Sequence, residues 1–473
     1  MNSSRRFLLI LVCALAMPAQ ALSALPQAML TQLKKNRIPV SAVSVYVRDL
    51  DADKTLLSWN AGVSRNPASV MKLVTTAAAL DMLGPTFQWK TRFAAIAAPV
   101  HETVRGDLYI KGGGDPHLVS ESFWADLRHL RHQGVRAIMG DLVLDTSYFQ
   151  PLAEDPGAFD GEPLRSYNAP PHALLFNFRS VHFYFYSDTL RGKVTIVADP
   201  PPGNMKIRNQ VKLVKGKCSS KMSRIRMAVK PHEGTTDVVF SGSFPRGCGG
   251  AELYRVVASP ENNLFGAFQS YWKELGGSFT GQVKTGVVPA KAKVLYTGKS
   301  LPLADIIRKV NKNSNNVMAR QLLLTLAAEQ KGEPGTRAKG AQVIAEWLDR
   351  IGVGSTGFVV ENGAGLSRKG RISAASLGGV LEYMYHSKNM PEYLSSLSIN
   401  GRDGTMKKRL KHGQILAAAR MKTGTIDHVK AIAGYLLTHQ GRHLAVVVLI
   451  NHDRSGAGRW AQDKLVQWLY DRY

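Results

Sequence analysis

The sequence predicts an α/β (α+β) fold, with helix-and-strand segments toward both ends of the chain and a β-rich middle region between them. Three observations carry this expectation. Positions 69–83 are rich in Ala and Leu, as a buried helix requires. Two strongly apolar runs near the C-terminus, 431–436 and 444–450, read as strands of one sheet, and a helix over 456–473 follows them. Between these ends, positions 91–261 hold short β-like runs separated by dense turn signals, such as Gly112-Gly113-Gly114-Asp115-Pro116 and Pro200-Pro201-Pro202-Gly203.

Taken in order, 25–60 reads as a short helix followed by strands, with the β-branched run Val40 to Val47 as the clearest strand. Asn66-Pro67-Ala68 is a turn and helix start. In the middle region Val194–Val197 and Val238–Phe240 mark strands. Helical character returns at 265–275, 316–330 and 337–351. The β-rich middle region therefore runs from about 91 to 261, with helical character from about 262. A chain of 473 residues exceeds one core, since domains run to roughly 100–200 residues. Trp460, Leu465 and Trp468 of the last helix suit packing on a sheet better than contact with a membrane.

The first residues read as a leader. Arg5 and Arg6 precede an apolar stretch from Phe7 to Met17, too short to span a bilayer, and Ala19-Gln20-Ala21 offers a cleavage site, with Ala24 as a second. A signal peptide over 1–21 is expected, an anchor helix being the alternative. Cys13 would leave with it. Cys218 and Cys248 then form an even pair in an oxidising compartment, and a disulfide between them is expected, with two free thiols as the alternative. The formal charge of +26 attracts polyanions. For an exported protein these are wall carboxylates and anionic envelope surfaces, reached through segments such as 206–230, rather than nucleic acid. A solvated basic face with no specific partner accounts for the same charge. No His or Cys spacing suits a metal, and no cofactor is expected.

Three short motifs carry chemistry: Ser69-Val70-Met71-Lys72, Ser314-Asn315-Asn316 and Lys422-Thr423-Gly424. Each alone is common, and Ser or Asn before a helix is usually a cap. In order, and each in a plausible element, they form a set. Spacing of three puts Lys72 one turn beyond Ser69 on the same helix face. A serine hydroxyl needs a base to take its proton. A free lysine, with a pKa of about 10.4, is neutral about once in two thousand at pH 7, and lowering it by about 3 units costs roughly 4 kcal/mol of burial and like charge. Lys422 is the candidate for that like charge. Ser314 can relay a proton to a leaving amine, and Asn316 can donate to a substrate amide. Thr423 and Lys422 suit a terminal carboxylate, Gly424 admits a close backbone, and the N–H groups of Ser69 and Thr425 can hold an oxyanion.

This set, with Gly113-Gly114-Asp115-Pro116, Tyr167-Asn168-Ala169-Pro170, Gly365-Leu366-Ser367-Arg368 and Asp403-Gly404-Thr405, resembles the class C low-molecular-mass penicillin-binding proteins of the peptidase S13 family. The long gap between Ser69 and Ser314, far longer than in β-lactamases, fits that family's insertion, and the resemblance implies a catalytic domain split as 22–90 plus 262–473 around one or two extra domains over 91–261. The resemblance implies a penicillin-binding catalytic domain and a serine D-Ala-D-Ala carboxypeptidase or D,D-endopeptidase in the periplasm. It implies peptidoglycan peptides as substrates and β-lactams as acylating ligands. It also implies a pocket for the substrate side chain, with an acid at Glu162 (Asp is usual there), an aromatic at Tyr167, and Arg368 and Asp427 alongside. A β-lactamase or esterase, or a non-catalytic wall-binding protein, are the other readings of the same scaffold. The absence of a clear carboxylate for deacylation weighs against the former, and the intact motifs against the latter.

Overall fold

A computed structural model describes residues 24–151, 154–218, 224–232 and 234–473, so the leader expected over 1–21 lies outside the described residues. A six-stranded sheet organises the main unit, in the order Ser398–Ile399, Ala419–Ile426, Val429–Leu437, His443–Asn451, Val43–Asp49, Lys54–Trp59. Every neighbouring pair is antiparallel. The early strand Val43–Asp49 pairs along its whole length with His443–Asn451, so the two ends of the chain close one sheet. Both of its faces are covered, which explains why His443–Asn451 is apolar almost throughout.

On one face pack the first helix, Gln27–Lys35, and the last, Gly458–Arg472. Leu465 is fully buried there, Trp468 lies against the same cluster, and Trp460 stays exposed. On the other face Met71–Leu83 sits at the centre of a helical layer that includes Leu303–Asn313, Asn316–Lys331, Arg337–Arg350 and Ala374–His386. Ten of its residues are buried, so it shows no polar stripe.

The intervening chain forms two further layers. A five-stranded sheet orders Val283–Thr285, Leu142–Asp145, Leu108–Lys111, Lys90–Ala95 and Lys293–Lys299, and is covered by helices Ser120–His132 and Pro260–Glu274. The expected boundary at 262 falls inside the helix Pro260–Glu274. Phe265, Phe268 and Trp272 bury against Phe93, Leu108 and Phe123, and Lys293–Lys299 pairs with Lys90–Ala95, so this stretch packs with the insertion. Apolar periodicity marks a helix but not its partner, which is why the boundary is not readable from the sequence.

The second layer is a small sandwich of two three-stranded sheets around Phe183, Phe185, Phe240 and Phe244. Cys218 and Cys248 are joined by a disulfide, with Cys248 fully buried in that core. The bridge closes a loop with a sequence separation of 30. Cys248→Ala is expected to destabilise the sandwich by about 3 kcal/mol, read as a lower unfolding midpoint under non-reducing conditions. An unchanged midpoint would remove the bridge from the stability argument. Among the described residues no helix is long and apolar enough to cross a membrane.

Candidate active site

Ser69 lies in a short turn, Ala68–Val70, that leads into Met71–Leu83. Ala68 adopts φ +46°, a left-handed conformation that costs an alanine about 1–3 kcal/mol. Asn66 holds it there. Its side-chain oxygen accepts from the Ala68 N–H at 2.9 Å, and its amide donates to the Ser367 carbonyl at 2.8 Å. Its own backbone N–H donates to Asn451 at 2.8 Å. Gly365 crosses above so closely that a Cβ there would lie 1.9 Å from the Ala68 carbonyl oxygen. A strained turn braced from three sides aims the serine.

Lys72 is fully buried one helical turn on. Its ammonium donates to Ser69 Oγ at 3.0 Å, to Asn316 Oδ1 at 2.7 Å and to the Ala364 carbonyl at 2.6 Å. Burial pushes its pKa well below the ordinary lysine value, and the positive charges of Lys422 and Arg320 push it further the same way. Arg320, which the sequence does not single out, is held under the site by the Asn168 and Ala169 carbonyls, both at 3.1 Å.

Ser314 sits between two helices with φ +54°, ending Leu303–Asn313 in a left-handed turn. The cap of the following helix is Asn315, whose side chain accepts from the Met318 N–H at 3.0 Å. That leaves the side chains of Ser314 and Asn316 free for the cavity. Lys422, also fully buried, donates to Ser314 Oγ at 2.9 Å and to the Thr423 carbonyl at 2.8 Å, and burial lowers its pKa to about 7. Two short chains, Lys72–Ser69 and Lys422–Ser314, thus converge, with Asn316 beside the first.

The strand Ala419–Ile426 forms the third wall. On its outer side it pairs with Ser398–Ile399 only at Arg420 and Met421, so its edge is open from Lys422 onward. Such an edge can take an extended peptide backbone. A Cβ on Gly424 would lie 3.1 Å from the Ser69 nitrogen and 2.6 Å from the Pro67 carbonyl oxygen, so the strand presses directly on the nucleophile turn. Thr423 and Thr425 face a groove of about 420 Å³ shared with Lys407, Lys408, Lys430 and Arg459. Lys430 donates to Thr425 Oγ1 at 2.9 Å.

The expected side-chain pocket is assembled differently from its prediction. Arg368 pairs with Asp427, Nη2 to Oδ2 at 2.9 Å, and its guanidinium lies 4.7 Å over the Phe159 ring. Tyr167 donates to Asp160 Oδ2 at 2.8 Å, and the other oxygen of Asp160 accepts from Asn168 at 2.8 Å. Glu162, expected at that place, instead faces Arg165 at 3.4 Å on the surface. The turn Ser166–Asn168 rolls Tyr167 toward Asp160, while Glu162 stands one turn before Arg165. The Asp160-Gly161 pair was the available signal for this turn.

The model of the D-Ala-D-Ala carboxypeptidase 3 (S13) family matches residues 25–472. The D-alanyl-D-alanine carboxypeptidase of Actinomadura sp. (strain R39) is 29% identical over 429 residues, covering 87% of this chain and 78% of that protein. The D-alanyl-D-alanine carboxypeptidase DacB of Haemophilus influenzae is 25% identical over 420 residues, 88% of this chain and 86% of its own. The crystal structure of penicillin binding protein 4 (dacB) from Haemophilus influenzae superposes with a TM-score of 0.78 at 23% identity, over 94% of this chain and 99% of that one. A predatory endopeptidase from Bdellovibrio bacteriovorus follows at 0.54 and 16%, over 90% and 92%. These two likenesses are of fold. The family match spans nearly the whole described chain, and the chain belongs to the D-Ala-D-Ala carboxypeptidase 3 (S13) family of peptidases.

Proposed function

We propose that the protein is a serine D-Ala-D-Ala carboxypeptidase and D,D-endopeptidase of peptidoglycan, working through an acyl-enzyme on Ser69, and that β-lactams acylate the same oxygen. The observation that carries this reading is a buried lysine, depressed in pKa, 3.0 Å from the serine oxygen. In its neutral form Lys72 accepts the Ser69 proton as Oγ attacks the carbonyl carbon. The Ser69 and Thr425 N–H groups hold the developing oxyanion. Ser314, held by the Lys422 ammonium, relays that proton from Lys72 to the departing amine, which returns Lys72 to its neutral form and leaves Lys422 a cation. Water then attacks the acyl carbon while Lys72 takes its proton, and Lys72 hands that proton to Ser69 Oγ as the acyl–oxygen bond breaks.

Recognition divides by charge. Lys422, Thr423 and the cations along their groove suit the terminal carboxylate, with Gly424 giving the backbone its room. Tyr167, Arg368 and Asp427, joined by Asp160 and Phe159, line the side-chain pocket, and Glu162 moves to its rim. The carboxylates of Asp160 and Asp427 fit a substrate side chain ending in an ammonium group. Export to the periplasm through the leader at 1–21 belongs to the same reading, as does attraction of the basic surface to anionic envelope components.

A fluorescent penicillin tests it. Purified protein is expected to be stably labelled, and Ser69→Ala to remove the label. No labelling of folded wild-type protein sinks the reading, and rapid turnover of the drug converts it to a β-lactamase. Mass analysis of digested cross-linked muropeptides separates terminal D-Ala release from cross-bridge cleavage.

A further inference from the structure

The sheet of Ala251–Arg255, Val181–Asp188 and Lys193–Asp199 has two unlike faces. Val181, Phe183 and Phe185 turn inward and pack in the sandwich core. The alternate residues His182, Tyr184 and Tyr186 turn outward, as the two-residue period of a strand requires. Tyr254 stands opposite His182 on one neighbouring strand, and Glu252 opposite Tyr184. Asp199 stands opposite His182 on the other, and Thr195 opposite Tyr186.

The four rings form one continuous ladder. Tyr186 and Tyr184 are parallel within 7° at 6.3 Å, Tyr184 and His182 are 3.8 Å apart, and His182 and Tyr254 stack at 3.8 Å. Its two ends are open to solvent, Tyr186 at 46% and Tyr254 at 49%. Cross-strand ring pairs stabilise a sheet wherever they occur, but that role does not call for half-exposed rings flanked by carboxylates and a hydroxyl. At the Tyr254 end the face opens into a cleft of about 530 Å³ that also contains Glu252, Arg165, Arg255 and Tyr167. The Tyr167 carbonyl accepts from Asn316 of the catalytic cluster at 3.4 Å. Tyr167 therefore joins the cleft at the end of the ladder to the cluster around Ser69.

We propose that this aromatic face is a saccharide platform, on which the amino-sugar chain of the wall polymer lies while its peptide enters the site at Ser69. A pyranose ring presents an apolar C–H face, which stacks on an aromatic ring, and an edge of hydroxyls, which donate to carboxylates. The ladder supplies the rings, and Glu252 and Asp199 supply the acceptors. Glu252 and Asp199 stand on the platform and Arg165 and Arg255 in the adjoining cleft, so this surface lacks the single-sign field that would select an anionic polymer. The identity of the polymer rests on the function proposed above; the platform itself rests on the ladder.

Binding is measured without catalysis, on the full mature Ser69→Ala protein, by titration calorimetry with a soluble N-acetylglucosamine hexamer. Binding is expected, and Tyr186→Thr combined with Tyr254→Thr should weaken it at least about tenfold at a temperature well below an unfolding midpoint that the lost ring pairs lower only modestly. The corresponding Tyr→Phe pair keeps the rings and should retain most of the affinity. No binding at millimolar sugar, or equal binding by the Thr pair, overturns the proposal. So does preferential binding of a polyphosphate, which would mark an anion surface. In the active enzyme the Thr pair should lose more rate on glycan-linked stems than on a sugar-free peptide with the same D-Ala-D-Ala end. If sugar binds but neither peptide is cut, the peptidase reading fails and the platform stands. If both are cut but no sugar binds, the reverse holds.

Discussion

Lys72→Met is expected to slow acylation of Ser69 by a β-lactam about 10³-fold, with the protein still folded. The size follows from losing a general base, typically 10²–10⁴ in rate. Methionine suits the site sterically, because it is similar in length and the position is fully buried. It strands the Asn316 Oδ1 and Ala364 carbonyl acceptors, at about 1–3 kcal/mol each, while removing the desolvation cost of a buried amine. The two terms oppose one another, so the unfolding midpoint should move little while the rate collapses. A variant that acylates at the wild-type rate would remove Lys72 from the chemistry.

The pH profile of the wild-type protein carries the same argument. In the proposed mechanism Lys72 acts in its neutral form, and its pKa is depressed, so acylation should rise with pH on a limb well below the ordinary lysine range. In the same proposal Lys422 anchors the carboxylate as a cation, and burial holds it at about 7, so recognition of a carboxylate should weaken above that in the free enzyme. A bell is expected for kcat/KM, and Lys72→Met should erase its acid limb. The sign for stability is that of a paired carboxylate and opposite to that of a lysine held by an acid, because the folded pKa lies below the unfolded one. The folded Lys422 gives up its proton near 7 and the unfolded one near 10.5, so the unfolded chain binds more protons between them. Stability from this group is fully present above 10.5, is lost as pH falls toward 7, and changes no further below.

The parts of the site readable in the sequence are those whose chemistry depends on local spacing. Ser69 and Lys72 share a helix face because helices repeat every 3.6 residues, whatever surrounds them. Lys422, Thr423 and Gly424 announce themselves through an unusual triplet before an apolar strand. What stays hidden is what distant packing decides. Arg320 lies in the middle of an apolar helix and acts on Lys72 only because Asn168 and Ala169 bring their carbonyls to it. Asn66 is one turn-former among many until Asn451, far along the chain, fixes its backbone. Glu162 and Asp160 are both plausible partners for Tyr167 by composition, and the roll of a three-residue turn chooses between them. The helix Pro260–Glu274 carries a clear apolar pattern with nothing to say which core it faces.

Gly424→Ala is expected to lower kcat/KM about 10²-fold, through geometry alone. The added methyl would meet the Pro67 carbonyl oxygen at 2.6 Å and the Ser69 and Val70 nitrogens at 3.1 Å. None of these is the end of a flexible side chain. Pro67, Ala68 and Ser69 belong to the strained turn that Asn66, Asn451 and Gly365 already hold in place, so the turn has nowhere to go. The strand must move instead, carrying the Thr425 N–H away from the Ser69 N–H. A displacement of about 1 Å at such a pair is worth roughly 10² in rate, and loss of one oxyanion donor 10²–10³. Because Lys72 keeps its three partners, the acid limb of the pH profile should stay where it is, which distinguishes this variant from Lys72→Met. Gly62→Ala is the matched control, since a Cβ there meets nothing within 4 Å. Wild-type acylation kinetics in Gly424→Ala would show that the strand and the serine are not coupled as their contact implies.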